Sequence, residues 1–203
     1  MFETLIKGFT IGIAYVAPIG MQNLYVINTA MTQSRTRLYF TAFITIFFDI
    51  SLALACFFGM GAIIEAVPIV KLILLGAGSL AIMWIGIGLI RSTPKLDKTI
   101  DTKKTLWQIV LTCLMVTWAN PQALIDGTML FGGFRASLPA EMAKFFIIGS
   151  SLSSVVWFIG VGTIVSIFKK AFNEKVLKII NVACSLIIIY YGIKLGIEFF
   201  KNI

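Results

Sequence analysis

Hydrophobic positions along the chain form long stretches separated by short polar segments. Six stretches reach the roughly 20 apolar residues that a helix needs to cross a bilayer: 4–29, 38–62, 68–90, 107–132, 143–167 and 177–199. Because a bilayer offers no water to backbone polar groups, each stretch is predicted to be a helix. The pattern predicts an all-α, polytopic membrane protein with six transmembrane helices in a single transmembrane domain, residues 1–203.

Composition agrees with this prediction. Hydrophobic residues make up 59% of the chain and charged residues 13%, and a soluble domain of this length could not bury so much apolar surface. The first stretch begins almost at the N-terminus, is long enough to span the membrane and lacks a cleavage site, so it is expected to be retained rather than removed as a signal peptide.

The basic residues are concentrated after the first, third and fifth stretches. Eleven of the seventeen lie there: Arg35, Arg37, Arg91, Lys95, Lys98, Lys103, Lys104, Lys169, Lys170, Lys175 and Lys178. The positive-inside rule places these loops in the cytoplasm and both termini outside. It also explains the net charge of +8 without a nucleic-acid partner. Lys194 is expected to extend its ammonium outward, with Glu198 one turn further on the same face, in a structural role.

The two halves of the chain are weakly similar to each other. Residues 77–90 align without gaps with residues 183–196, at an offset of 106. Offsets of 101 and 103 pair further residues: Gly59 with Gly160, Gly61 with Gly162, and Pro18 with Pro121. Because each half has three helices, an odd number, the second half is expected to cross the membrane upside down relative to the first, as in many secondary transporters. The predicted plan is repeat one at 1–92, a cytoplasmic linker at 93–106 and repeat two at 107–203.

Two prolines near the centres of the first and fourth stretches predict broken helices. Pro18 and Pro121 each remove an internal hydrogen bond, and polar residues follow both; Gly20 is assigned to the first break. Matched breaks in inverted halves indicate a substrate site near the bilayer midplane. A half-helix starting at each proline would present N–H groups to a carboxylate. The simpler alternative is a kink packed by a neighbouring helix.

Asp49 lies near the middle of the second stretch. A charged side chain at that depth costs about 2.5–3.5 kcal/mol unless it faces a polar cavity or a cation. We predict a site for a small substrate that carries both positive and negative charge, such as a cationic amino acid. The predicted substrate-binding residues are Gln22, Asn23, Asp49, Asn120 and Asp126. The alternatives are a structural, hydrogen-bonded Asp49 and an Asp126 that only borders the end of its helix.

The remaining chemistry argues against an enzyme. The chain has no histidine, and its three cysteines fall in three different apolar stretches, where they are expected to pack. No metal site and no cofactor are predicted. An intramembrane aspartyl protease would need Tyr-Asp and Gly-x-Gly-Asp motifs, which are absent. A channel or an exporter of a metal cation remains as a further alternative.

Three motifs lie in the first, second and fourth apolar stretches: residues 18–23, PIGMQN; Asp49 with Gly59; and residues 117–121, TWANP, continuing to Asp126. The first resembles the first-span signature, and the other two resemble later motifs, of the lysine/arginine exporter family of bacteria, the LysE type of the amino-acid exporter superfamily. Two residues depart from the pattern: Met21 replaces a proline, and Ala119 stands where leucine is usual. The departure at Met21 bears on the geometry of the first break.

The resemblance implies export of L-lysine or L-arginine across the bacterial cytoplasmic membrane by proton antiport. Neutral amino acids are the alternative substrates. Without histidine, proton coupling is assigned to Asp49, for which a proton and the substrate ammonium would compete. Small residues at 76–79 permit close helix contact, within one subunit or in a homodimer.

Overall fold

A computed structural model describes residues 1–67, 69–91, 105–168 and 173–201. All regular secondary structure in these ranges is helical. The helices are α1 (Phe2–Val16), α2 (Met21–Thr32), α3 (Arg35–Ala66), α4 (Ile69–Arg91), α5 (Leu106–Trp118), α6 (Pro121–Ser137), α7 (Ala140–Ile167) and α8 (Glu174–Lys201). Most of the predicted linker, 93–104, lies outside the described residues, as do Lys169 and Lys170.

The described helices confirm an all-helical, multi-pass membrane protein. By length and composition, α7, α8 and the Arg35–Met60 part of α3 can each cross a membrane. The pairs α1–α2 and α5–α6 qualify as one bent span each, which brings the number to as many as five. The remaining apolar stretch corresponds to α4, whose Leu75–Gly88 segment is a shorter apolar helix. Six spans therefore stay a prediction.

Two helices, α3 and α8, begin before the apolar stretches that predicted them, because capping residues stabilise their first turns. α3 begins three residues before the stretch at 38–62, where the Ser34 hydroxyl accepts a hydrogen bond from the Arg37 amide at 3.4 Å. α8 begins after Asn173, whose side-chain oxygen accepts from the amides of Lys175 and Val176. Such caps satisfy first-turn N–H groups that hydropathy does not register.

Glycines let α1 and α7 pack with their backbones in contact. A Cβ atom added to Gly8 would lie 2.0 Å from the Phe146 carbonyl oxygen, and one added to Gly149 would lie 2.1 Å from the Leu5 carbonyl oxygen. Small residues at such crossings are the usual means of tight helix association in lipid. This contact fixes the first helix against the centre of the bundle.

The contact between α4 and α8 is reciprocal. A Cβ atom on Gly86 would lie 2.6 Å from the Ile189 side chain, and one on Gly192 would lie 2.9 Å from the Met83 side chain. The offset of 106 that relates the two glycines also relates Met83 to Ile189. Each helix therefore makes the same contact on the other.

An aromatic cluster joins α3, α6 and α7 in the core. The ring of Phe146 stacks on those of Phe57 and Phe134, each with a centroid separation of 5.4 Å. Phe131 extends the cluster to Tyr15 of α1, 4.9 Å away between centroids. These packed rings support the polar site next to them.

Replacing Gly149 by alanine is expected to destabilise the protein by roughly 1–3 kcal/mol, because the added methyl group collides with backbone of α1. Gly160→Ala on the same helix is the matched control, since a Cβ there has no atom within 4 Å. Thermal unfolding of the detergent-purified protein measures both. Equal melting temperatures for the two variants would contradict the described packing.

Candidate functional site

The first apolar stretch is interrupted between α1 and α2, which meet at 77°. α1 ends at Val16, Pro18 lies in the gap, and Gly20, with extended backbone, precedes α2. Met21 is the first residue of α2, a position that proline favours. The sharp bend is therefore present although Met21 stands where the signature of the similar exporter family has its second proline.

Side chains satisfy the backbone groups that this interruption frees. The Asn23 amide nitrogen donates to the carbonyl oxygens of Val16 and Pro18, both at 2.8 Å. The Ile19 amide donates to the side-chain oxygen of Asn181 on α8, at 2.9 Å. In a membrane such groups need protein partners, because lipid offers none.

Asn23 is fully engaged in holding the interruption. Both hydrogens of its amide group are used by the two carbonyls, and its side-chain oxygen accepts from the Trp157 indole nitrogen of α7 at 2.7 Å. The side chain is 3% exposed. In this conformation Asn23 positions the start of α2, and direct substrate contact by Asn23 stays a prediction.

Asp49 stands at the meeting point of four helices. It is 2% exposed on α3, and one carboxylate oxygen accepts a 2.6 Å hydrogen bond from the Ser154 hydroxyl of α7. The other oxygen accepts from the Gln22 amide nitrogen of α2 at 3.4 Å, and the same nitrogen donates to the Thr117 hydroxyl of α5 at 2.9 Å. The shorter distance makes Thr117 the stronger acceptor.

The fourth apolar stretch is also divided, between α5 and α6, which meet at 57°. Asn120 lies between these helices, and its carbonyl oxygen accepts from the Leu124 amide at 3.2 Å. α6 begins at Pro121, whose side chain is outside the described part. Trp118 anchors the end of α5 to α3 by donating to the Ser51 hydroxyl at 3.0 Å.

A cavity of about 400 Å³ opens where the two interruptions face each other. It brings together every residue predicted from the sequence to bind substrate: Gln22, Asn23, Asp49, Asn120 and Asp126. Pro18 and Gly20 also line it, and a Cβ on Gly20 would meet no atom within 4 Å. The N-terminus of α2 therefore borders open space in the cavity.

The charge on the cavity wall is of one sign. Asp49 and Asp126 both line it, and none of the described residues around it is a lysine or an arginine. Apolar and aromatic side chains supply most of the remaining wall, among them Tyr15 from α1 and Trp84 from α4. The Tyr15 hydroxyl donates to the Ala123 carbonyl oxygen near the start of α6, at 3.3 Å. Such a wall favours a small ligand that carries positive charge.

Several residues of the site were not singled out by sequence reasoning. Ser154, Trp157 and Asn181 hold the predicted residues in place, as does Thr117, which entered only as part of the motif at 117–121. Tyr15 and Trp84 shape the cavity. Asn181 is a polar residue inside an apolar stretch, a signal that could have identified it. Serine and threonine are common in membrane helices, where they bond to their own backbone, so their presence alone indicated nothing.

Comparison with known proteins gives one family and consistent relatives. The family model described as LysE type translocator matches residues 13–199. The chain is 26% identical over 170 residues to the arginine exporter protein ArgO of Serratia proteamaculans, covering 82% of each chain. It is 25% identical over 203 residues to the ArgO of Klebsiella pneumoniae strain 342, covering 98% of this chain and 95% of that one. No solved structure matches the chain.

The donor role of Asn23 predicts the effect of an isosteric change. Asn23→Asp removes both N–H donors and places a carboxyl group beside two carbonyl oxygens, so a loss of about 2 kcal/mol or more in unfolding free energy is expected. Asn173→Asp is the control, because there the side chain acts only as an acceptor and aspartate caps equally well. Thermal unfolding in detergent checks both; a stable Asn23→Asp protein would refute the assigned role.

Proposed function

The chain belongs to the LysE type translocator family, and from that membership we propose that it exports basic L-amino acids, arginine foremost, from the bacterial cytoplasm in exchange for protons. Family membership makes it a membrane transport protein and not an enzyme, which removes the aspartyl protease alternative. The observation that carries the proposal is a cavity with two carboxylates and no lysine or arginine on its described wall.

The carboxylates suit the cationic groups of the substrate. Asp49 is held by a hydroxyl and an amide, both neutral donors, so its negative charge has no protein counter-ion in this network. A bound ammonium or guanidinium would supply that charge, and charge-assisted hydrogen bonds are the strong ones. Asp126, on the same cavity, would bind the second cationic group of the amino acid.

The start of α2 suits the carboxylate of the substrate. Backbone N–H groups in the first turn of a helix lack intrahelical partners and carry positive partial charge. Gly20 leaves space in front of this turn, and Gln22 and Asn120 add amide groups to the same wall. The α-carboxylate would lie here, with Asn23 keeping the turn in position from behind.

Arginine is favoured over lysine by the named relatives and by the wall. The relatives from Serratia and Klebsiella are both arginine exporters. A planar guanidinium can donate two parallel hydrogen bonds to one carboxylate and can stack on an aromatic ring. Tyr15 and Trp84 provide rings on the cavity. Lysine would bind the same carboxylates through its ammonium group, which carries the charge on one nitrogen atom.

Proton exchange would balance the charge that the substrate carries. Moving one positive charge outward against an inside-negative potential costs about 2.3 kcal/mol per 100 mV, and an inward proton cancels that cost. Asp49 would carry the proton, because a proton and the substrate both neutralise the same buried carboxylate and therefore exclude each other. Loss of substrate to the outside then leaves Asp49 ready to be protonated.

The proposed architecture is six spans in two inverted repeats, with the basic loops cytoplasmic and both termini outside. The reciprocal glycine contacts of α4 and α8 support it, since a twofold relation between repeats generates such a pair. The two interrupted stretches face one cavity, as that relation requires. Within the described residues no group of three or more histidine, cysteine, aspartate or glutamate side chains could hold a metal ion.

Asp49→Asn is expected to reduce arginine transport about tenfold or more, because a charge-assisted contact is lost. Purified protein in proteoliposomes allows arginine flux and opposite proton movement to be followed together, with a labelled substrate and a pH-sensitive dye. Glu141→Gln, an acidic residue in the first turn of α7 away from the cavity, is the control. Undiminished, proton-coupled flux in Asp49→Asn would overturn the proposal.

Asp126→Asn is expected to change selectivity. Citrulline has nearly the shape of arginine but lacks the charge of its guanidinium group. Competition between the two therefore measures how much that charge contributes to substrate selectivity. We expect the preference for arginine over citrulline to fall roughly tenfold in Asp126→Asn, from loss of one charged hydrogen bond. Competitive efflux from preloaded cells lacking other exporters measures this ratio, and an unchanged ratio would exclude Asp126 from substrate binding.

A further inference from the structure

A second cavity lies at the end of the bundle that carries both chain termini. It measures about 470 Å³ and lies between the start of α1 and the last turns of α8, next to Phe134 of α6. We propose that it binds the phosphate group of an anionic phospholipid. This inference does not depend on the proposed transport activity.

The charge of this cavity is opposite to that of the substrate cavity. Its charged lining residues are three lysines and one glutamate: Lys7, Lys194, Lys201 and Glu198. Glu3 of α1 lies near Lys7 and Lys194, and the three lysines still exceed the two glutamates. Two helices contribute the ammonium groups, so the cluster exists only in the folded bundle. Basic pockets between membrane helices bind anionic lipid headgroups on the cytoplasmic side of membranes, and the same attraction between lysine and phosphate applies at this end of the bundle. This excess of positive charge does not favour a cationic amino acid, so the chemistry of this cavity differs from that of the substrate cavity.

Aromatic residues hold two of these lysines. The ammonium of Lys7, a half-buried residue, lies 5.3 Å from the centre of the Phe134 ring. The ammonium of Lys194 lies 4.8 Å from the Tyr190 ring centre and 5.9 Å from that of Tyr191. Cation–π contacts of this kind restrain a flexible side chain. The lysine charges are therefore positioned before any ligand binds.

The depth of the cavity matches the headgroup layer. Lys7 lies three residues inside the start of the first apolar stretch, and Lys201 follows the end of the last stretch at 199, so both lie where the helices leave the hydrocarbon. On the same part of α8, Ile193 and Ile197 are about half exposed, and Ile197 lines the cavity itself. A phospholipid would place its phosphate among the lysines and an acyl chain along these isoleucines, whereas free phosphate would use the lysines alone.

The test measures lipid affinity in purified protein. Delipidated protein in a neutral detergent is titrated with phosphatidylglycerol, with phosphatidylcholine and with inorganic phosphate, and bound lipid is counted by native mass spectrometry. The protein carrying Lys7→Gln and Lys194→Gln is compared with Lys144→Gln. Lys144 is an exposed lysine at the start of α7, also near an aromatic ring, that of Phe145 at 5.2 Å.

We expect the unmutated protein and Lys144→Gln to prefer phosphatidylglycerol over phosphatidylcholine. The double variant should lose roughly 10- to 30-fold in affinity for phosphatidylglycerol alone. Equal affinity for both lipids, or an unchanged preference in the double variant, would overturn the proposal. Competition by millimolar inorganic phosphate as effective as that by the lipid would assign the site to a free anion and overturn the lipid assignment. Melting temperatures confirm that the double variant is folded.

Discussion

A break in the middle of a membrane helix leaves backbone N–H and C=O groups that lipid cannot satisfy, and this protein depends on how they are satisfied between α1 and α2. The Asn23 amide donates to the Val16 and Pro18 carbonyls, and Asn181 accepts from Ile19. Trp157 then fixes Asn23 from α7. These contacts allow α2 to start at 77° to α1 and to direct its first turn at the cavity.

The two breaks serve different purposes although their sequences correspond. At the offset that relates Pro18 to Pro121, Asn23 corresponds to Asp126. Asn23 is buried and bonded on both sides of its amide, whereas Asp126 is partly exposed and lines the cavity. The first break thus contributes a fixed framework through Asn23 and the second a charge through Asp126, although the two residues correspond in sequence.

The sequence predicted the apolar helices, the interruption at both prolines and the residues that meet at the cavity, because each follows from a local rule about proline or about charge in lipid. It did not predict how these residues are held. The Ser154 hydroxyl lies 2.6 Å from Asp49 across 105 positions of sequence, and no local pattern encodes such a distance. No local pattern encodes the contact between Trp157 and Asn23 either. The face of α7 that meets α2 depends on how α7 crosses α1, at Gly149 and Gly8. The lysine cavity was missed because Lys7 and Lys194 belong to opposite ends of the chain.

The hydrogen bond from Ile19 to Asn181 joins residues 162 positions apart, and this separation has a consequence for biosynthesis. At about 5–20 residues per second, the ribosome delivers Asn181 roughly 10–30 seconds after Ile19. During that interval the first span has been made but its proper acceptor does not yet exist. The Ile19 amide must then be sheltered by water or by the insertion machinery, and a nascent chain released before α8 would expose this polar break to lipid. Helix α8 therefore completes the break that follows α1.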